Sequence, residues 1–143
     1  MQFRPSVTAV LIGVDIETGV TGTIIDNCEW LIGEDGAGVD EFVKALHLTS
    51  GNHDTVMRNL LIRAHASAAE ATHGIHVDAA SDRCIYDNVT IDGPYATNGI
   101  LEDAASADTV FVNSSVDVTG TNLGFHASTT FAERKSNLAG GSP

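Results

Sequence analysis

Six histidines stand among 19 acidic residues in this 143-residue chain, and their spacing is the first hint of chemistry. Asp15, His47 and His76 fall at intervals of 32 and 29 residues, and His126 lies farther along. Imidazoles brought side by side at such intervals could share a Zn²⁺, whose bonds to nitrogen are about 2.0–2.1 Å. The series is interrupted by Leu101, where a further ligand would be needed, so these histidines are expected to be solvated or to lie in an interface. His65 and His73 lie in the stretch A-H-A-S-A-A-E-A-T-H, which reads as a short connecting helix, and His53 lies at a turn. A second acidic series, Glu17, Asp78 and Asp103, supplies too few carboxylates for Ca²⁺, which takes about 6–8 oxygen ligands. The expectation is no metal and no cofactor.

Catalytic patterns are equally thin. Glycoside hydrolysis needs two carboxylates at a set separation, but the chain has no Asp-Asp pair and His73-Gly74 is an isolated dipeptide. There is no Ser-His-Asp arrangement, phosphate loop or redox motif. Cys28 and Cys84 form no metal motif and read as reduced core thiols. A non-enzymatic protein is expected.

The charge balance narrows the partners. Seven basic residues against 19 acidic ones give a formal charge of −12, the wrong sign for nucleic acid or an anionic membrane. No run approaches the roughly 20 apolar residues that span a bilayer. The apolar run Val7–Ile12 gives way at once to Gly13-Val14-Asp15, so the N-terminal stretch does not read as a signal peptide.

What must position these residues is a repeat. G-I-H-V-D-A-A-S (74–81) returns as G-I-L-E-D-A-A-S (99–106), and the alignment extends without gaps through I-H-V-D-A-A-S-D-R-C-I-Y-D-N-V-T-I-D (75–92) and its partner (100–117). Earlier units fall into the same frame, with starts at 14, 46, 75, 100 and 125, the last unit being partial. A small residue precedes each start: Gly13, Ala45, Gly74, Gly99 and Gly124. One column holds Asn27, Asn59, Asn88 and Asn113, flanked by β-branched and aromatic runs such as T-I-I, C-I-Y and T-V-F. Each unit reads as strand, tight turn, strand, Asn turn, strand, loop. Asparagine suits the left-handed αL conformation, and its amide can bond to copies above and below.

Stacking the units about 4.8 Å apart makes equivalent residues neighbours. Val14, Leu46, Ile75, Ile100 and Phe125 form one apolar column; Ile16, Leu48 and Val77 form another; Trp30, Ile62, Ile91 and Val116 form a third. The charges fall into ladders: Asp26/Arg58/Asp87, Arg63/Asp92/Asp117 and Asp54/Arg83/Asp108, each arginine with an acid in an adjacent unit. These read as register-fixing pairs. Residues 1–13 are expected to be a capping strand or arm using Ala9–Ile12, residues 14–128 the stack, and residues 129–143 a tail with apolar points at Phe131 and Leu138.

The pattern resembles the right-handed parallel β-helix of the pectate-lyase-like superfamily, in the short form found in phage virion proteins. Asn27, Asn59, Asn88 and Asn113 match that family's asparagine column, and the loops after Gly33, Ala64, Gly93 and Thr119 match its variable turn. The resemblance covers roughly residues 10–128. It implies an all-β solenoid of about four full coils plus a partial fifth, with three short strands per coil. It also implies that Thr23/Thr55/Cys84/Thr109 and Ile25/Met57/Tyr86/Phe111 point inward, turning Ile24, Val56, Ile85 and Val110 outward. A strand apolar on both faces is usually covered on both, so that column is expected to be a subunit interface, most simply of a homotrimer. The functional expectation is a virion structural protein assembled in a host cytoplasm, a capsid-decorating (cement) or spike/fibre module that binds other virion proteins. The alternative is a carbohydrate-binding or polysaccharide-processing β-helix such as a tailspike receptor-binding piece. That reading needs an exposed aromatic platform, and Trp30 is expected in the core, which leaves Tyr95 on a loop.

Overall fold

The computed structural model describes residues 1–3, 10–32, 42–64, 72–78, 81–95, 97–104, 107–118, 121–125, 128 and 130–136. Among them every regular element is a strand. One sheet orders β1 (Gln2–Phe3), β3 (Ile24–Ile32), β5 (Val56–Ala64), β7 (Ile85–Gly93), β9 (Thr109–Val118) and β11 (Phe131–Ser136). The other orders β2 (Val10–Ile16), β4 (Phe42–Leu48), β6 (His73–Val77), β8 (Asn98–Glu102) and β10 (Thr121–Gly124). All neighbours are parallel. Parallel neighbours need a crossover; here each crossover includes a strand of the opposite sheet.

The registers reproduce the sequence repeat. Val14, Leu46, Ile75 and Ile100 pair in turn, as do Trp30, Ile62, Ile91 and Val116. The partial fifth unit departs from expectation, because Leu123 and not Phe125 pairs with Ile100. A shift of two residues keeps the strand's alternation. It also leaves the Phe125 ring edge-on to Phe111 and Tyr86, with centroids 5.8 and 5.9 Å away.

The expected three strands per unit become two. The second and third are one strand that bends at the asparagine: Asp26 pairs with Arg58 and Cys28 with Leu60, and no pairing is made at Asn27. Asn27, Asn59, Asn88 and Asn113 all adopt αL, with φ between 50° and 55°. Because the ladder resumes immediately on both sides, the turn is absorbed as a corner within the strand. A second αL column precedes these strands: Gly22, Asp54, Arg83 and Asp108. Three of these four are types that tolerate positive φ, and Arg83 is the exception.

The asparagine amides do bond between units, but among the described residues only Asn88 Nδ2 donates to another asparagine of the column, Asn59 Oδ1, at 2.9 Å. Asn59 and Asn113 donate instead to Asp26 and Asp87, each at 2.9 Å. We expect Asn59→Ala to destabilise the fold by about 1–2 kcal/mol, the αL cost of a Cβ without a polar side chain. Asn59→Gly should cost clearly less, since glycine enters αL freely. Urea titrations of the two variants check this ordering.

Both expected boundaries fall inside or beside strands. β2 runs through residue 13 and pairs with β4 from Val10 onward. β1 lies on the edge of β3, where the Met1 amino group donates to the Asn27 carbonyl at 2.6 Å. β11, from the expected tail, pairs with β9 through two register irregularities. Ala9, Leu138, His65 and His126 lie outside the described residues, as does most of the expected short helix; His73 begins β6.

The core is one cluster drawn from both sheets, with Trp30, Leu46, Met57, Ile75, Tyr86 and Phe111 fully buried. The small-residue column marks where the sheets approach: a Cβ on Gly74 would lie 2.7 Å from the Gly99 carbonyl oxygen and 2.8 Å from Ile91 Cγ2. Among the described residues several polar side chains are buried, Thr55, Thr109 and Ser114 with them, and one is a carboxylic acid. Glu102 continues the apolar column Ile16/Leu48/Val77 and is 2 % exposed, and Tyr86 Oη donates to its Oε1 at 2.9 Å.

Candidate functional site

Parallel pairing of β2, β4 and β6 sets Asp15, His47 and His76 side by side, with Leu101 of β8 next. The ladder continues one residue past the strands, since the Asp78 amide donates to Leu48 O at 2.9 Å and the Asp103 amide to Val77 O at 3.0 Å. That extension brings a second acidic column against the histidine column. Carboxylates and imidazoles then alternate: Asp15 Oδ1 lies 2.9 Å from His47 Nδ1, and Asp78 Oδ1 lies 3.2 Å from His47 Nε2 and 3.4 Å from His76 Nε2. Asp103 Oδ2 closes the row, 2.7 Å from His76 Nε2.

Of the two settings expected for these histidines, solvent and an interface, the solvated one is corrected here. His47 is 7 % exposed and His76 8 %, while their carboxylate partners are partly or largely exposed. An ionised carboxylate only accepts, so the contact with Asp15 places a proton on His47 Nδ1 and the contact with Asp103 places one on His76 Nε2. His47 Nε2 and His76 Nδ1 are buried and lack a hydrogen-bond partner among the described residues. The His73 ring stands 4.9 Å from that of His76. Burial, then His76 and Lys44, push His73 down to about 4, so it is neutral near pH 7.

The opposite sheet carries a different feature. Ile25, Met57, Tyr86 and Phe111 are buried, and the neighbouring column Ile24, Val56, Ile85, Val110 is not. Ile24 is 63 % exposed and the other three are partly exposed. Charged ladders flank it. Arg58 Nη2 lies 2.9 Å from Asp26, and Arg83 grips Asp54 through two nitrogens. Hydrogen bonds from Arg58 and Asn59 hold the Asp26 carboxyl below its ordinary value, and Arg83 does the same for Asp54. Arg63 and Asp92 are looser, at 3.8 Å.

Cys28 and Cys84 are free, and burial pushes the Cys84 thiol up to about 12. Tyr95, expected on an exposed loop, is fully buried, as are Trp30 and Tyr86. Since these are the chain's only Trp and Tyr residues, no such ring forms a surface platform. His53 bridges the turns between Thr21 and Asp82 and accepts the Asp82 amide at 3.3 Å.

No protein-family model matches this chain, and no curated protein or solved structure matches it.

Proposed function

We propose that the chain is a right-handed parallel β-helix that acts by assembly and without catalysis, as a homotrimeric virion structural module of the capsid-decorating or spike/fibre kind. The observation that carries this reading is the aliphatic column Ile24/Val56/Ile85/Val110 on the outer side of strands whose inner side already packs the core. Apolar residues on both faces of a parallel strand are ordinarily covered on both. A contiguous row of branched side chains is the kind of patch that marks a protein–protein contact. The chain's alternation between two parallel sheets supports the coil, and parallel crossovers are right-handed in about 98 % of cases.

Three copies meeting through the same row form a closed ring, which satisfies the patch without leaving an open filament end. The net charge of −12 and the lack of an exposed Trp or Tyr platform leave protein surfaces as the natural partners. The virion assignment rests on analogy with short β-helices of that setting.

Val56→Asp tests the interface. A carboxylate in the centre of a covered apolar row is desolvated without a partner, so the variant should be monomeric by light scattering. In the monomer the same residue is partly exposed, and its circular dichroism and melting should stay close to those of an unmutated monomer. An unchanged oligomeric mass in V56D contradicts the proposed face. Purified particles of the parent virus should contain the chain in multiples of three copies, and particles without it contradict the virion reading.

A further inference from the structure

We propose that His47, His76 and Asp78 form a binding site for one divalent transition-metal ion of the zinc class, with Asp103 closing the fourth position. The ligand atoms offered by His47, His76 and Asp78 all lie within 4.8 Å of one another. In a tetrahedral site with bonds of about 2.0–2.1 Å, neighbouring ligand atoms are about 3.3 Å apart. The two His–Asp78 separations, 3.2 and 3.4 Å, match that edge. Asp103 Oδ2 sits at 2.7 Å from His76 Nε2, so closing the shell needs this half-exposed carboxylate to withdraw by about half an ångström.

The polar bookkeeping points the same way at His47, whereas at His76 the Nε2 proton held by Asp103 at 2.7 Å is released when the ion binds. With its Nδ1 proton held by Asp15, the neutral form of His47 presents an Nε2 lone pair toward Asp78 Oδ1. Nε2 and Asp78 Oδ1, 3.2 Å apart beside an imidazole over nine-tenths buried, are reconciled by a cation between them, either a second ring proton or a metal ion. Among the described residues no donor serves that nitrogen. A carboxylate on the far ring nitrogen is also the usual support for a metal-bound imidazole, because it fixes the tautomer and raises the basicity. Two imidazoles select a transition metal over Ca²⁺ or Mg²⁺, which take oxygen ligands.

The ion would tie β4 to β6 and to the residues just beyond them, acting as a clip between successive units. This inference is independent of the assembly reading, since the site and the aliphatic column lie on different sheets.

The test uses the full chain, stripped with a chelator and titrated with Zn²⁺ by calorimetry. One ion per chain and a higher melting midpoint with zinc are expected. His76→Gln and Asp78→Asn should abolish the midpoint shift, and Asp15→Asn should weaken zinc binding about 10–100-fold. Should a variant not fold, the wild-type protein still decides. Co²⁺ should give the intense visible bands of four-coordination, and zinc should move the ring-nitrogen resonances of His47 and His76 but not of His53. No saturable binding by the folded wild-type chain overturns the proposal, as does zinc binding that survives in folded H76Q and D78N.

Discussion

Phe111→Ala is expected to lower the unfolding free energy by about 3–5 kcal/mol, the usual cost of deleting a fully buried aromatic ring. Phe111 is 0 % exposed and packs against Tyr86 and Phe125 with ring centroids at 6.0 and 5.8 Å. The Phe125 contact belongs to the shifted register of the last unit, so the substitution removes what anchors that unit as well as core volume. A domain of this kind has about 5–15 kcal/mol in total, so urea unfolding should move to a much lower midpoint. Phe111→Leu keeps most of the volume and should cost less than half as much. Equal losses for the two variants would show that the ring cluster is not formed.

The second large effect lies in the buried Tyr86–Glu102 pair. Burial, with Glu102 next in weight, raises the Tyr86 hydroxyl well above its ordinary value, so it stays a donor. Tyr86→Phe takes a hydrogen bond away from a carboxyl that is 2 % exposed and should cost about 1–3 kcal/mol. Glu102→Leu alone strands the tyrosine hydroxyl and should cost a similar amount. The double variant removes donor and acceptor together, and leucine fits the column Ile16/Leu48/Val77, so it should be less destabilised than the sum of the singles. Strict additivity of the three unfolding energies would contradict a direct coupling.

The stack was legible because a parallel ladder turns sequence intervals into neighbours. The intervals 32, 29 and 25 that align Asn27, Asn59, Asn88 and Asn113 are also the offsets of the strand registers. Alternation along one strand then separated Ile25 and Met57, which are buried, from Ile24 and Val56, which are less so. The strand count failed because a single αL residue bends a strand without ending its pairing, and residue types do not distinguish a corner from a turn. The register of the last unit failed because an aromatic cluster, a contact across the core, outweighs the local resemblance of F-H-A-S to the earlier starts.

The site was legible only in parts. The histidine column and the acidic column are each visible in the sequence, and each alone is too sparse to hold an ion. Their meeting depends on the ladder continuing past Leu48 and Val77 to Asp78 and Asp103, one residue beyond the strands. Asp78 lies two residues after His76, on the same strand parity, which is the signal that could have joined them. The burial of Tyr95 left no such trace, because a residue after Gly93, outside any strand, has no alternation to read.

The central claim is that this chain works through its outer aliphatic column as an assembled unit. The most direct measurement is the mass of the wild-type chain in solution by sedimentation equilibrium. The account predicts a species of three times the 14.9 kDa chain mass, persisting on dilution to low micromolar concentration and lost in V56D. A monomer at every concentration would contradict it.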